Sequence, residues 1–248
     1  MKNNKYTFGD VTFEIEAPFE LQRDNCDSFR VDREADYLIR VLPLDDEQDS
    51  LRQMERDGNV ITRYIKRKYF DDVNAASLFA TASLNFAFLE HDAFILHASY
   101  VVLDGQAILF TAPSGTGKTT QAEYWQRERG AEIVNGDRVL VTRRRGKFYA
   151  NGIYASGTSG ICRNVSAPIG AVVLLEQGEN NMVNEIPSRM LFLRILCECS
   201  YDMDDVGQYV KITELVSDMI NSLPTVCYSC KKSPDSVEAL ERSLWNRE

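Results

Sequence analysis

The feature that most limits how this chain can fold is Ser114-Gly115-Thr116-Gly117-Lys118-Thr119. The run Ala107 to Phe110 before it reads as a strand. Thr119 to Arg129 after it reads as a helix, stopped by Gly130. The pattern G-x-x-x-x-G-K-[ST] is met from Ala112 to Thr119, with Ala112 in place of the first glycine. Gly115 and Gly117, the two glycines nearest a bound phosphate, are both present. They permit positive φ and close backbone approach. Consecutive N–H groups can then turn towards an anion, and the helix start adds its positive potential. Lys118 is expected to reach the β- and γ-phosphates of ATP or GTP, and Thr119 to place its hydroxyl on Mg²⁺. Ser114, Gly115, Thr116, Gly117 and Thr120 complete the expected phosphate cradle. The strand–loop–helix setting separates this motif from a chance lysine after a glycine turn.

Such a loop needs a carboxylate nearby. Asp137 follows the strand-like Glu132-Ile133-Val134. If that strand runs parallel to the one feeding the loop, its C-terminal end delivers Asp137 beside the phosphates, as an Mg²⁺ ligand or a base. His97, in Leu96-His97-Ala98-Ser99, reads from its neighbours alone as a core histidine, whereas His91 falls in an exposed turn. Arg163 lies in the Gly/Ser-rich stretch 152–168. It is either a plain surface arginine or a clamp for charge developing on a transferring phosphoryl group.

With 248 residues, 44% apolar and 26% charged, the chain can bury a substantial core. A net charge of −9 argues against non-specific nucleic-acid binding. The basic run Arg143 to Lys147 reads as a charged turn between strands. No apolar leader follows Met1-Lys2-Asn3-Asn4-Lys5. The longest apolar stretch, 75–89, is interrupted and too short to cross a bilayer. A cytoplasmic protein with no membrane contact is expected. Cys197/Cys199 and Cys227/Cys230 carry zinc-like spacing, but they fall in a helical stripe and an alternating strand, so buried thiols are the reading taken.

Along the chain, 1–72 is expected as a β-rich supporting region. It contains Tyr6-Thr7-Phe8, Val11 to Ile15, Tyr37 to Val41, and a hairpin turn at Asp57-Gly58 before Val60 to Ile65. The nucleotide-binding core is expected over 73–178. It opens with one buried helix over 73–89 and holds strands at Phe94–Leu103, Ala107–Phe110, Glu132–Val134, Val139–Thr142, Lys147–Tyr149 and Ala171–Leu175. The remainder, 179–248, is expected to be mainly helical. Its clearest amphipathic stripe is Ile212, Leu215, Val216, Met219, Ile220 and Leu223. Thr225 to Cys230 is a short strand, and the last helix starts at Ser233-Pro234 with Val237, Leu240, Leu244 and Trp245 on one face.

The segment Leu96-His97-Ala98-Ser99, Asp104-Gly105, Pro113 to Thr120 and Gly136-Asp137 resembles the C-terminal kinase domain of HPr kinase/phosphorylase and its relatives beside peptide-modifying genes. Phosphoenolpyruvate carboxykinase shares that nucleotide-binding architecture. The stretch Gly157, Arg163-Asn164, Ala167-Pro168-Ile169-Gly170 extends the likeness to about residues 94–176. The resemblance implies an α/β fold: a mixed, twisted sheet with the P-loop at its edge, a β-rich N-terminal part and a helical C-terminal part. It implies that His97 lies near the phosphates and that Asp137 is the second acid of a pair whose first member is Gly136 here. Homo-oligomers occur among those relatives, and nothing in this sequence specifies an interface.

Two functions follow from this reading. One is a kinase that passes the γ-phosphate of ATP to a hydroxyl, a serine of a peptide or protein or of a small molecule. Asp137, His97 and Arg163 would serve catalysis, and Thr119 and Asp137 would hold Mg²⁺. The other, favoured by Gly136, is a nucleotide-binding regulatory or accessory protein with little turnover. Carboxykinase chemistry lacks a recognisable substrate-carboxylate clamp. Lys118→Ala is expected to abolish phosphoryl transfer and weaken nucleotide binding without loss of fold. Calorimetry and circular dichroism read both, and wild-type turnover in that variant overturns the motif assignment.

Overall fold

The computed structural model describes residues 4–45 and 54–245. The first three residues, part of the start read above, lie outside the described residues. Alternation of apolar and polar side chains builds a first sheet from β1 (Lys5–Phe8), β2 (Val11–Glu16), β3 (Tyr37–Leu44), β4 (Met54–Asp57) and β5 (Val60–Lys66). Their order is β1-β2-β3-β5-β4. The hairpin at Asp57-Gly58 forms as expected, with β4 antiparallel to β5. The centre of the sheet, however, is parallel: β2 beside β3 and β3 beside β5.

The single helix expected over 73–89 is two. α1 (Ala75–Thr81) opens with a reciprocal cap between Asn74 and Ser77. α2 (Asn85–Glu90) follows after a break. The Ala82 amide bonds back only three residues, to Phe79 O, and Ser83 takes a left-handed φ of 48°. A left-handed serine cannot continue a helix. Apolar periodicity runs through the break because Leu78, Phe79, Phe86 and Phe88 all pack into one core with Tyr6, Phe8 and Phe13 of the first sheet.

Among the described residues the larger sheet has nine strands. In chain order these are β6 (Ala93–Leu103), β7 (Gln106–Thr111), β8 (Glu132–Asn135), β9 (Arg138–Arg144), β10 (Lys147–Asn151), β11 (Ser166–Gln177), β12 (Met182–Asn184), β13 (Cys199–Ser200) and β14 (Thr225–Cys230). The main path is β10-β9-β6-β7-β11-β14-β12, with β8 and β13 paired to β6. The sheet is mixed: β6 is antiparallel to β7, whereas β7, β11 and β14 run parallel. The strand that feeds the glycine-rich loop is therefore interior, between β6 and β11, rather than at the margin of the sheet.

Each face of this sheet has its own core, and the strands alternate between them. Ala107 and Leu109 of β7, Val172 and Leu174 of β11, and Cys227 of β14 pack towards α4 (Ser188–Leu196) and α5 (Val206–Ser222). Ile108, Phe110, Val173 and Tyr228 pack towards α3 (Lys118–Arg129) and α6 (Asp235–Trp245). The α5 stripe is seated as its periodicity requires, with Ile212, Leu215, Val216 and Met219 fully buried. Gly130 closes α3 at φ 70°. Arg145 and Gly146, at φ 50° and 75°, make the β9–β10 turn. Two members of the basic run there are paired within the chain: Arg143 meets Asp92, Glu214 and Asp218, and Arg144 meets Asp10.

The cysteine readings divide. Cys227 is buried, whereas Cys197, placed in an apolar stripe by the sequence, is exposed at the end of α4. Among the described residues no three of His, Cys, Asp and Glu come together as a metal cluster. Among the described residues no helix is long and apolar enough to cross a membrane.

Trp125 anchors the α3–α6 layer. It is fully buried, 6.1 Å from the Phe110 ring and 5.9 Å from that of Trp245. Trp125→Ala is expected to cost about 3–5 kcal/mol of unfolding free energy in denaturant titration. A loss below about 1 kcal/mol contradicts this packing.

Candidate functional site

The chain leaves β7 at Thr111 and turns through Ala112 to Gly117 into α3. Gly115 and Gly117 take φ of 81° and 120°, the conformation for which glycine was expected there. No Cβ would meet a neighbour at either position, so the glycines serve backbone conformation and access. The loop is laced from the next strand, where Gln177 Nε2 donates to Gly115 O at 3.1 Å and to Thr116 O at 3.4 Å. Lys118 folds over the loop, its ammonium donating to Ala112 O at 2.7 Å and to Pro113 O at 3.3 Å. Burial lowers its pKa, and the carboxylates of Glu198 and Asp137 oppose that shift. Two carboxylates thus look at the ammonium that closes the loop.

Asp137 arrives as the strand argument required. β8 is antiparallel to β6, which is antiparallel to β7, so β8 runs parallel to β7 one strand away. The Ala98 amide donates to Asp137 O at 3.0 Å, and Ala98 pairs with Thr111, the last residue of β7. The acid therefore stands level with the start of the loop. Asn135 shapes this corner, a role the sequence reading missed. Its Oδ1 accepts from the amides of Asp137 and Arg138 at 2.9 and 3.0 Å, while its Nδ2 donates to Ile153 O and Ala155 O at 3.2 and 2.7 Å. One buried amide both turns the chain and ties it to the segment that follows β10.

His97 joins the site. Its Nε2 lies 3.4 Å from Asp137 Oδ1, and its Nδ1 lies 2.9 Å from Glu198 Oε2. A carboxylate only accepts, so Nδ1 donates to Glu198, and Nε2 is placed to donate to Asp137 whenever it carries a proton. Glu198 was not foreseen. It follows α4 and precedes the two-residue β13, and its carbonyl accepts from the His97 amide at 2.9 Å. No motif marks it, because the pairing spans 101 positions of sequence.

Arg163 does not join. Its guanidinium is 2.6 Å from Glu132 at the start of β8, about 10 Å along the strand from the Asn135 end. Its backbone explains this, since the Arg163 amide donates to Val134 O and fixes the residue beside the strand rather than over the loop. The arginine beside Asp137 is Arg138, whose Nε lies 3.3 Å from Asp137 Oδ2 and whose Nη1 donates to Ser200 Oγ at 2.8 Å. Thr119 is exposed on the first turn of α3, its hydroxyl 3.5 Å from Gly136 O. Ser114 and Thr116 lie on the loop, and Thr120 on the first turn of α3.

Hollows flank the loop. One of about 210 Å³ is bordered by Thr116, Gly117, Thr120, Tyr124, Lys231 and Lys232. Another of about 650 Å³ lies on the β11 side, between Ser114 and the Glu176–Arg194 ion pair.

Gly136 stands where the resemblance places a first acid, and its surroundings exclude one. A Cβ on Gly136 would lie 2.6 Å from the Cβ of Ser159, in the short turn Gly157–Ser159. Gly157, at φ 54°, presses equally closely: a Cβ there would lie 2.6 Å from Asp137 Cγ.

No family model matches the sequence, and no curated protein does. Among solved structures, the Hpr(Ser) kinase/phosphatase from Coxiella burnetii aligns with 60% of this chain and 94% of its own, at 16% identity and a TM-score of 0.34. A superposition that loose assigns nothing to this chain.

The Gly136–Ser159 contact is testable. Gly136→Ala is expected to destabilise the fold by about 1–3 kcal/mol through overpacking. Adding Ser159→Gly is expected to recover part of that loss, whereas strict additivity of the two changes in denaturation sinks the contact.

Proposed function

We propose that the chain is a nucleoside-triphosphate-dependent phosphotransferase, passing the γ-phosphate of ATP or GTP to a hydroxyl of the serine type in a peptide, protein or small molecule. The observation that carries this is the convergence, at one end of the large sheet, of the glycine-rich loop with Lys118, Asp137 and the His97–Glu198 pair.

The roles follow from chemistry. Amides of the run Ser114 to Thr120 would bind polyphosphate oxygens, the Thr116 amide, bonded to Pro113 O, being spent within the loop. Lys118 exchanges two loop carbonyls for phosphate oxygens, a charge-assisted bond that offsets its desolvation. The donor set for Mg²⁺ is the Thr119 hydroxyl and the Asp137 carboxylate. Such hard oxygen ligands, few in number, suit an ion that keeps waters and phosphate oxygens as its remaining partners. Bound there, Mg²⁺ would neutralise charge on the phosphates. A carboxylate that ligates Mg²⁺ is a poor base, and Gly136 removes the second acid. His97 is the group that can take the acceptor proton at Nε2, its ring oriented by Glu198. Arg138, rather than Arg163, is the arginine near enough to Asp137 to counter charge spreading over the transferring group. The hollow beside Thr120 and Tyr124 suits the nucleoside, on the side of the loop away from Asp137.

Gly136 also supports the second reading, a nucleotide-binding accessory protein with little turnover. Incubation with Mg·ATP or Mg·GTP and serine-bearing acceptors separates the two. Transfer is expected. It should fall about 10²–10⁴-fold in His97→Ala with nucleotide affinity kept, and in Asp137→Asn the Mg²⁺-dependent activity should be lost with nucleotide affinity partly retained. Tight binding without turnover favours the accessory reading, and no nucleotide binding at all defeats both.

A further inference from the structure

We propose that Ser159 is a phosphorylation site of the protein itself, modified in cis by the phosphotransfer centre against which it is packed. The proposal rests on the reading above and deepens it by naming an acceptor that the chain carries.

The geometry around two glycines points to it. The Ser159 hydroxymethyl fills the space that any side chain at Gly136 would take. Gly136 lies between Asn135, which shapes the corner, and Asp137, the acid of the site. Its own carbonyl lies 3.5 Å from the Thr119 hydroxyl. The same turn rests on the acid through Gly157, where a Cβ would come within 2.6 Å of Asp137 Cγ. A serine hydroxyl thus stands one residue away from both groups assigned to Mg²⁺.

The hydroxyl is also in a state to react. It is half-buried, donates to Ser156 O at 2.7 Å and accepts from the Ile161 amide at 3.3 Å. A hydroxyl oxygen has two lone pairs, so one stays available to a phosphorus atom. The segment carrying it is tied down on three sides. Asn135 holds Ile153 and Ala155, Asn25 Nδ2 donates to Gly160 O at 3.3 Å, and Asn164 Nδ2 donates to Ser28 O at 2.8 Å. A nucleophile fixed beside the reacting centre gains the effective concentration of an intramolecular reaction.

In the step, Ser159 Oγ forms a bond to the γ-phosphorus of the bound triphosphate. The bond from that phosphorus to the β,γ-bridging oxygen breaks, and its electron pair leaves with the nucleoside diphosphate. The hydroxyl proton, held by Ser156 O in the resting structure, leaves that bond and passes to His97, the base assigned above. The product carries a phosphate dianion beside Asp137 and the loop, where it repels a second polyphosphate. Modification at Ser159 therefore limits further nucleotide binding.

Full-length protein incubated with Mg·ATP, digested and mapped by tandem mass spectrometry tests this. The expected result is a phosphoryl group on Ser159, formed at a first-order rate independent of protein concentration and absent from Lys118→Ala and Ser159→Ala. Nucleotide turnover, or phosphorylation of an added acceptor, with Ser159 unmodified overturns the proposal and leaves the phosphotransferase reading standing. Label on Ser156 or another residue with Ser159 bare, or a rate proportional to protein concentration, overturns it as well. Nucleotide bound in calorimetry with no turnover and no modification overturns it in favour of the accessory reading. Absence of nucleotide binding removes the parent reading and this one together.

Discussion

Everything at this site depends on one cation that closes the glycine-rich loop onto its own carbonyls. A loop that turns its amides outward leaves carbonyls such as those of Ala112 and Pro113 without strand pairing. The Lys118 ammonium bonds both, sharing Pro113 O with the Thr116 amide and hydroxyl. It does so from a buried position that disfavours its charge, so the arrangement needs negative groups within range. Asp137 and Glu198 are those groups. They reach the loop from separate elements, the β8–β9 corner and the segment after α4. The charge balance of the loop is therefore a property of the tertiary fold and not of the motif.

That division explains what the sequence could and could not reveal. The loop, Lys118 and the strand–helix frame were legible because their physics is local: positive φ at Gly115 and Gly117, a strand before, a helix after. Asp137 was legible at one remove, since a strand parallel to β7 must end at the same edge. Glu198 was not, because it meets His97 only once α4 has packed on the sheet and β13 has paired with β6. Arg163 shows the opposite failure. A loop arginine near a nucleotide motif invites a catalytic role, but a backbone bond to Val134 and an ion pair with Glu132 assign it to the far end of β8. The helix break at Ala82 to Leu84 stayed hidden because both short helices present apolar faces to one core. The parallel centre of the first sheet stayed hidden because alternation fixes which face is buried and leaves strand direction open.

The residues at Gly136, Gly157 and Ser159 carry a further lesson about substitution. From the sequence, Gly136 reads as a loss, an acid removed from a pair. In the fold it is a condition of close approach, since only hydrogen at that Cα lets Ser159 in. Restoring an acid there would first have to displace the turn over Asp137. Gly136 and the 152–165 segment thus form one feature of the site, and the chemistry available to it must be argued from the turn as built.

The first sheet enters that chemistry through the same segment. Tyr154, which follows Ile153 at the start of the turn, packs against Phe8 at 5.2 Å and Phe79 at 5.5 Å, edge-on to the first ring and tilted to the second. Asn25 and Ser28, from the short helical turn Asn25–Phe29, meet Gly160 and Asn164 on the far side. The segment is therefore clamped by aromatic burial at one end and by backbone-directed amides at the other. Asn135 ties the Tyr154 end, through Ile153 and Ala155, to the corner that bears Asp137. A loop with a glycine at 152, 157 and 160 would lose much conformational entropy on ordering. The apolar surface that offsets this loss belongs to the core shared by the first sheet and α1, through Phe8 and Phe79. That sheet acts on the site by holding the turn still: what it contributes is the fixed distance between Ser159, Gly136 and Asp137.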